Sequence, residues 1–481
     1  MHQQRLHLSC LSEEALDRIE ATAYRLLEEI GISLQHVRAR EMLHGRGCRI
    51  EAERTFIPRG VVQQALEDVQ PHTEIRNRDG SRAFALGDGA IRFHNGGGPP
   101  FIYDLETGER RPALLQDVAD VTRVLDALPN VDVIVPLFGP QDVPPELLAV
   151  VSTAVTLRNT SKPVSSAAVD KPESVGYMVQ MAAACCGGMA SYKKNPSMII
   201  SVSPVSPLTF SEAITAAIMA VVESGSPFYP LPAPCLGATG PITMAGALAQ
   251  QHAEVLASLV IAAAARPGAL VGYSSRISPI DLRTAVSSWG GPEVGMSGAC
   301  AAQLAHRLGL PCDAYGLSSS ATRLDPQFAY ERLTNAFVPA LAGADLLSGL
   351  GTTESGMAGA LEVAVIDDEI IGLLKRVARG CAVDEETLAF EVIRDVVQND
   401  GVFLGEAHTV RHMREGALWM PGISVWAAAD DAGSRREGVV ARAKSRAAEI
   451  LETHAVEPLP EDVSRELDQI MEQARHHLVN G

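Results

Sequence analysis

A short segment of the chain combines residue types that could bind a charged ligand. The stretch His94–Pro100, HNGGGPP, places a histidine and an asparagine (Asn95) before three glycines and two prolines. This composition is typical of a kinked loop with exposed backbone. The N–H groups of such a loop, including that of Gly97, could hold a substrate carboxylate. The alternative is a plain hairpin turn.

Aromatic side chains flank this segment and recur along the later strand candidates. The face of an aromatic ring attracts cations, so several rings together could form a cage for an organic cation. A position in the core is the alternative for each of them. Tyr315 is the preferred member, because it lies near the carboxyl end of its predicted strand. The predicted cage residues are Phe93, Tyr103, Tyr229 and Tyr315.

Charged and polar residues that could act on a substrate lie in three places. In LDPQFAYE, Gln327 and Glu331 are four residues apart and share one helical face, and we predict them as the catalytic pair. Arg276 follows a strand candidate and could pair with a carboxylate through two hydrogen bonds; a surface or capping role is the alternative. His408 is predicted to line the site.

The spacing of His408 and His412 could also bind zinc on a helix. No glutamate follows His408, as the zinc-protease motif would require, and the sequence shows no third ligand. We therefore predict no metal.

The net charge, the cysteine content and the apolar runs of the chain exclude several classes of function. The 481 residues carry a net charge of −18 without a basic tract, which argues against nucleic-acid binding. Eight cysteines without a CxxC pair indicate a reduced, cytoplasmic protein. The amino terminus has no signal-peptide core, and the longest apolar run, residues 255–265, is too short to span a bilayer.

The elements that must position these residues follow an α/β pattern. A helix is predicted over 12–30, and strand-like pieces between about 73 and 105 suggest a small antiparallel sheet. From about residue 117, strands alternate with helices, which indicates a parallel sheet. Seven strand candidates start near residues 131, 163, 197, 227, 269, 312 and 344.

This pattern predicts a (β/α)8 barrel of the TIM type, with 401–408, GVFLGEAH, as the candidate for the eighth strand. An open doubly wound sheet is the alternative, but no dinucleotide fingerprint follows the early strands. We expect an N-terminal extension of helices and a small sheet over 1–116, the barrel over 117–437, and a helical tail over 438–481.

Several motifs together resemble those of the trimethylamine methyltransferase superfamily of corrinoid-dependent methyltransferases. They extend over nearly the whole chain and occur in order. They are LLEEIGISL, YDLETGERRPALLQDVADVTRVLDALPNVD, TLRNTSKPV, GATGPITMAGALAQQHAE, LGLPCDAYG, LDPQFAYE and ILETHAVEPLPEDV.

The resemblance implies methyl transfer from a methylated amine to the Co(I) corrinoid (cobalamin) of a separate small protein, by a homo-oligomer. Founding members carry pyrrolysine, which we place near residues 318–322, where this chain has standard residues. The chain is therefore similar to the non-pyrrolysine branch, which acts on quaternary amines such as glycine betaine. Trimethylamine or a sulfonium as donor, and a non-catalytic ligand-binding barrel, are the alternatives.

The glycine-rich loop of LGATGPITMAG follows the fourth strand candidate, at the end of the sheet where such barrels hold their active sites. Glycines allow the backbone to approach a ligand closely. We therefore expect Gly237, Thr239 and Gly240 to contact the cofactor; a plain βα loop is the alternative.

Overall fold

The computed structural model describes residues 3–4, 6–399, 401–426 and 437–480. Eight parallel strands form a closed barrel, with each strand paired to the next and the eighth paired to the first. The strands β1 to β8 are Arg92–Asn95, residues 133–134, Val164–Ala168, Met198–Val202, Phe228–Pro230, residues 270–275, Cys312–Tyr315 and Leu346–Leu350.

One long helix follows each barrel strand, so the expected (β/α)8 barrel is confirmed. The helices α1 to α8 are Leu115–Ala127, Leu148–Arg158, Pro172–Cys185, Glu212–Ser224, Met244–Ala265, Pro292–Arg307, Pro326–Leu341 and Leu361–Ala378. Because each helix runs back along the barrel, the strand-to-helix loops gather at the carboxyl ends of the strands, which form the barrel mouth.

The remaining strand of the barrel is not the one that the sequence suggested. GVFLGEAH forms a short 3₁₀ turn, Phe403–Gly405, and the start of the helix Ala407–Arg414. The strand is instead β1, which precedes residue 117 and which we had placed in a small antiparallel sheet. It has only four residues, three of them polar, and His94 and Asn95 line the polar cavity at the mouth. No apolar run therefore marks it.

The N-terminal segment covers the outside of the barrel. Its helices are Glu13–Arg25, continued by the π-helical turn Leu26–Ile30, then Val37–Gly45 and Arg59–Asp68. Ser12 caps the first helix by accepting from the N–H of Ala15, as expected. Short strands complete this layer: Ile32–Leu34, Arg49–Glu51 and Arg54–Phe56, which form one sheet with Thr209–Phe210.

Helix α5 is buried by these N-terminal helices, which pack on its outer side. It is the one helix of the described residues with the length and apolar composition to cross a membrane, but 94% of its apolar window is buried inside the protein. A core helix that is covered on all sides needs no polar face, which explains its alanine-rich sequence.

The amino ends of the barrel strands are closed by a plug. The hairpin Glu74–Arg76 and Arg82–Ala85 inserts Ile75 against an apolar layer inside the barrel. Tyr229 belongs to this layer and is 1% exposed. The strand Gln70–Pro71 pairs with β6, and His72 beside it packs edge-on against Tyr229. The barrel therefore has a closed floor.

Several short helices and strands lie at the mouth and on the outer surface. They are the helix Met189–Lys194, the strands Phe101–Tyr103 with Arg110–Pro112, Cys235–Leu236, Ser278–Asp281 with Val286–Ser287, Thr352–Thr353 and Ala358–Gly359, the 3₁₀ turn Glu354–Gly356, and Gln3–Gln4 with Cys381–Ala382.

The chain after α8 is helical. The helices Val439–Thr453 and Glu461–Asn480 pack on the barrel helices, the first on α1 and α8 and the second on α2 and α3. The helical tail predicted over about 438–478 therefore has the expected secondary structure. Three shorter helices precede it: Glu385–Leu388, Phe390–Gln398 and Ala407–Arg414.

A buried ion pair joins the last two units of the barrel. Arg332 of α7 and Asp367 of α8 are both 0% exposed, and Arg332 Nη1 lies 3.1 Å from Asp367 Oδ1. Arg332 also donates to the carbonyl oxygens of Leu317 and Thr352, which follow β7 and β8. This one side chain therefore fixes both loops at the mouth.

We expect Arg332→Met to lower the free energy of unfolding by about 3–5 kcal/mol, because it removes the buried partner of Asp367, whose pKa burial raises to about 7, and the donor to both loop carbonyls. Arg323→Met, at an exposed position nearby, is the control and should leave it nearly unchanged. Urea unfolding followed by circular dichroism measures both. Equal stability of the two variants would contradict this role.

Burial lowers the pKa of His72 to about 4, whereas an unfolded chain has a histidine pKa of about 6.5. Between these pH values the unfolded chain binds more protons, so the free energy of unfolding rises with pH. We expect His72→Asn to remove about 3 kcal/mol of the stability change between pH 4 and 6.5. His476→Ala, on the exposed surface, should keep the wild-type slope. An unchanged slope in His72→Asn would contradict this expectation.

Candidate active site at the barrel mouth

A cavity of about 300 Å³ opens at the carboxyl ends of the barrel strands. Its wall includes five of the residues that the sequence predicted for substrate binding, which come from β1, β6 and β7 and the loops after them. These residues are His94, Asn95, Gly97, Arg276 and Tyr315.

The Asp313 carboxylate lies in the cavity wall and connects three strands. Its Oδ1 is 3.0 Å from His94 Nε2 on β1, and its Oδ2 accepts from Arg276 Nη2 after β6 at 2.8 Å. Burial alone would raise the pKa of Asp313, but the Arg276 guanidinium and the His94 imidazole together lower it below the usual range. The carboxylate is therefore ionised, although Asp313 is only 5% exposed.

Both ring nitrogens of His94 face oxygen atoms. Nε2 faces Asp313, and Nδ1 lies 3.0 Å from the carbonyl oxygen of Asn95. The ring is therefore fixed from both sides. The Asn95 side chain is itself fixed, because it exchanges hydrogen bonds with the backbone of Val135 at 2.6 and 2.9 Å. The first two barrel strands are thereby locked together at the mouth.

Two aromatic rings form one side of the cavity. The ring centroids of Trp289 and Tyr315 are 4.7 Å apart in an edge-to-face arrangement. The Arg276 guanidinium carbon lies 5.4 Å from the centre of the Tyr315 ring. The cavity therefore offers aromatic faces for a cation beside a guanidinium that could meet a carboxylate.

A set of serine hydroxyls holds the Trp289 loop in place. Ser320 Oγ lies 2.8 Å from Ser355 Oγ and accepts from the N–H of Gly290 at 2.9 Å. Ser355 Oγ accepts from the N–H of Trp289 at 3.3 Å. Ser355 has a φ of 56°, a conformation that costs free energy in a residue other than glycine and is common at functional sites.

Gln327 and Glu331, predicted as the catalytic pair, lie behind this loop and do not line the cavity. Glu331 Oε2 accepts from Ser319 Oγ at 2.7 Å and from the N–H of Ser320 at 2.8 Å. Gln327 Nε2 donates to Glu331 Oε1 at 2.8 Å. Their hydrogen bonds fix the backbone at 319–320.

Other predicted residues lie apart from the cavity. Phe93 packs under Lys375 of α8, with Nζ 5.5 Å from its ring centre, and Tyr229 fills the floor. Tyr103 lines a neighbouring cavity and donates to Glu354. Burial, with the hydrogen bond to Glu354, raises the pKa of Tyr103 to about 12. His408 lies on the helix Ala407–Arg414, outside the barrel.

The glycine-rich loop lies at the mouth, but not in the cavity wall. Gly237 and Thr239 are exposed, and Gly240 is half-buried. Thr239 Oγ1 accepts from the N–H of Cys235 at 2.9 Å, so its hydroxyl closes the turn. The loop therefore exposes its backbone to a molecule that approaches the barrel mouth from solvent.

Asp313, Trp289 and Ser355 line the cavity but were not among the residues predicted from the sequence. A signal existed for Asp313, because a lone acidic residue in the buried strand CDAY requires a buried partner. Trp289 lies in an irregular loop, and no pattern predicted that this loop folds back over the mouth.

Comparison with known proteins identifies the family of the chain. A family model described as trimethylamine methyltransferase matches residues 1–478. The chain belongs to the trimethylamine methyltransferase family. The resemblance seen in the motifs is therefore confirmed, and the protein is a methyltransferase.

Relatives in this family match along nearly their whole length. A trimethylamine methyltransferase of Desulfitobacterium hafniense is 30% identical over 97% of this chain and 94% of its own. A glycine betaine methyltransferase of a second strain of that species is 29% identical over 96% of each chain. The crystal structure of the Methanosarcina barkeri monomethylamine methyltransferase has a TM-score of 0.48 and 14% identity, over 97% of this chain and 94% of that chain.

We expect Asp313→Asn to lower the free energy of unfolding of this family member by about 3–5 kcal/mol at pH 7, because Arg276 loses its buried counter-charge. Since the pKa of Asp313 is lowered, its contribution is present above about pH 3.8 and is lost below it. The difference from wild type should therefore narrow as the pH falls below that value. Asp281→Asn breaks an exposed aspartate–arginine pair and serves as the control. Equal stabilities of the two variants at pH 7 would refute the role of Asp313.

Proposed function

We propose that this protein transfers a methyl group from a betaine, a quaternary amine that also carries a carboxylate, to the Co(I) corrinoid of a partner protein. The observation that carries the proposal is the pairing of Arg276 with the aromatic rings of Tyr315 and Trp289 in one cavity wall. The family membership and the glycine betaine methyltransferase among the relatives support it.

The aromatic rings suit the quaternary ammonium group. This group has no lone pair and no N–H, so hydrogen bonds cannot hold it, and each aromatic face contributes roughly 0.5–2 kcal/mol. The rings of Tyr315 and Trp289 meet edge to face, with an interplanar angle of 66°. In the proposal they orient one methyl group towards the opening.

Arg276 suits the carboxylate of the betaine. Three of its five N–H donors have acceptors among the described residues: Nη1 donates to the carbonyl oxygens of Ser275 and Asp313, and Nη2 to the Asp313 carboxylate. The remaining donors are available for a ligand. Trimethylamine has no carboxylate to occupy them, so this residue favours a betaine.

The reaction requires little acid–base chemistry from the chain. When docked at the mouth, the corrinoid supplies Co(I) as the nucleophile that accepts the methyl group. The leaving group is a neutral tertiary amine, which needs no proton. The chain therefore acts by positioning and electrostatics. Gln327 and Glu331 contribute as positioning residues, because they hold Ser320 and, through it, the backbone of the Trp289 loop.

The mouth has the features that a partner protein requires. Exposed apolar side chains lie on three of the loops that surround it. The glycine-rich segments at 96–98 and 237–240 add backbone without bulky side chains, so a large flat group could approach the cavity. The exposed side chains are Ile242, Leu282, Val286 and Met357, which are 48–70% exposed. The residues at the mouth therefore fit a corrinoid that is carried by a separate small protein; the homo-oligomer stays a prediction.

The first test is methylation of Co(I) cobalamin, followed by visible absorbance, with and without a corrinoid protein. The donors are glycine betaine, proline betaine, carnitine, choline, trimethylamine and dimethylsulfoniopropionate. We expect methylcobalamin from a carboxylated betaine and none from trimethylamine. Turnover of trimethylamine or choline alone would overturn the role of Arg276. Binding of a betaine without turnover, with corrinoid protein present, would favour a ligand-binding barrel.

A second test addresses the aromatic wall. We expect Trp289→Leu to raise the KM for the active betaine by about 2- to 30-fold, the equivalent of one aromatic face. Trp289→Phe should retain most of the affinity. Tyr330→Leu replaces an exposed tyrosine outside the cavity and is the matched control. Equal KM values for Trp289→Leu and the control would remove the aromatic wall from the proposal.

A further inference from the structure

A second cluster of chemically active side chains lies in the segment after α8. His408 and His412 are one turn apart on the helix Ala407–Arg414, with ring centroids 4.2 Å apart. Glu386, on the helix Glu385–Leu388, faces both rings. Its Oε1 lies 3.3 Å from His412 Nε2, and its carbonyl oxygen lies 3.3 Å from His408 Nε2. The third ligand that the sequence did not show is therefore supplied by tertiary structure.

We propose that Glu386, His408 and His412 bind one divalent transition-metal ion of the Zn(II) type. One ligand atom from each residue lies within 4.8 Å of the others. In a tetrahedral site with metal–ligand distances of about 2.0–2.1 Å, ligand atoms are about 3.3 Å apart. Small rotations of these partly exposed side chains close that difference. Two imidazoles and a carboxylate suit zinc and its neighbours, with water in the open position.

The surroundings of the three ligands are also those of a metal site. His412 Nδ1 lies 3.6 Å from Glu415 Oε2, so a carboxylate stands behind the ring on the side away from Glu386. Such carboxylates orient metal-bound histidines. Arg411 pairs with Oε1 of Glu386, which leaves Oε2 of the same carboxylate for a metal. The two glutamates and one arginine leave a net negative charge for the ion to neutralise.

The position of the cluster indicates a structural role. Helix α8 begins after β8 at the mouth and ends at Ala378, so the segment leaves the barrel near its floor, away from the cavity. Between Glu386 and His408 lies the helix Phe390–Gln398, of which only Val396 is buried. Phe390 and Val397 are 67% and 68% exposed. A segment with so little core is the kind that metal ions staple.

The test measures metal binding by the whole protein, without corrinoid. We expect the metal-free protein to bind one Co(II) per chain, with visible d–d bands but no thiolate charge-transfer bands in the near ultraviolet, and Zn(II) to displace it. Zn(II) should also raise the midpoint of thermal unfolding, because it binds only the folded segment. No bound Co(II), or a thiolate band that indicates an exposed cysteine such as Cys381, would overturn the proposal.

Variants separate this site from others on the chain. The double variant His408→Ala/His412→Ala should lose Co(II) binding and the thermal shift. Glu415→Gln, which changes only the group behind His412, should weaken binding by about tenfold. His476→Ala removes an exposed histidine elsewhere and should bind as wild type. Retained binding in the double variant would place the metal elsewhere. Circular dichroism of the metal-free variants verifies that they fold.

Discussion

The mouth of the barrel depends on one buried carboxylate. Asp313 on β7 holds Arg276 from the end of β6 and His94 from β1, so a single ionised group sets the relative positions of three strands. Removing a charge from water is costly, and the protein recovers that cost only with near-ideal partners on both oxygens. The ring of Tyr315 then takes its place against the guanidinium. The shape of the cavity therefore follows from the way this charge is neutralised.

The two ends of the barrel interior are stabilised in different ways. At the floor, Ile75, Val133 and Tyr229 pack as an ordinary apolar layer, and the amino-terminal hairpin seals it. At the mouth, polar groups remain partly accessible to solvent, so hydrogen bonds and ion pairs hold them in place instead of apolar packing. The buried pair of Arg332 and Asp367 serves this purpose for the loops after β7 and β8.

Much of the fold was predictable, because apolar runs at regular intervals mark seven of the eight strands. The strand β1 was assigned to the wrong sheet, since a short polar strand has no apolar pattern and its pairing with β8 depends on tertiary structure. Site residues were predictable where a position at or just after the carboxyl end of a strand is enough to place a residue at the mouth, as for His94, Arg276 and Tyr315. The direction in which a side chain points was not predictable. Phe93 and Tyr229 were predicted to bind the ligand, but Phe93 faces helix α8 and Tyr229 faces the floor. Trp289 lies in an irregular loop, and Glu386 meets His408 and His412 across 22 and 26 residues of chain, so no local pattern predicts either contact.

The sealed floor has a consequence for the order of events in catalysis. In the part of the chain that the structure describes the floor is closed, so the mouth is the route for the donor, for the demethylated amine and for the group that accepts the methyl. A protein docked over the mouth covers that route. In the proposed reaction the amine must therefore enter before the partner docks, and the product amine leaves only after the partner departs. Turnover would then be limited by how fast the two proteins separate, a rate that salt and surface charge control more than the cavity does.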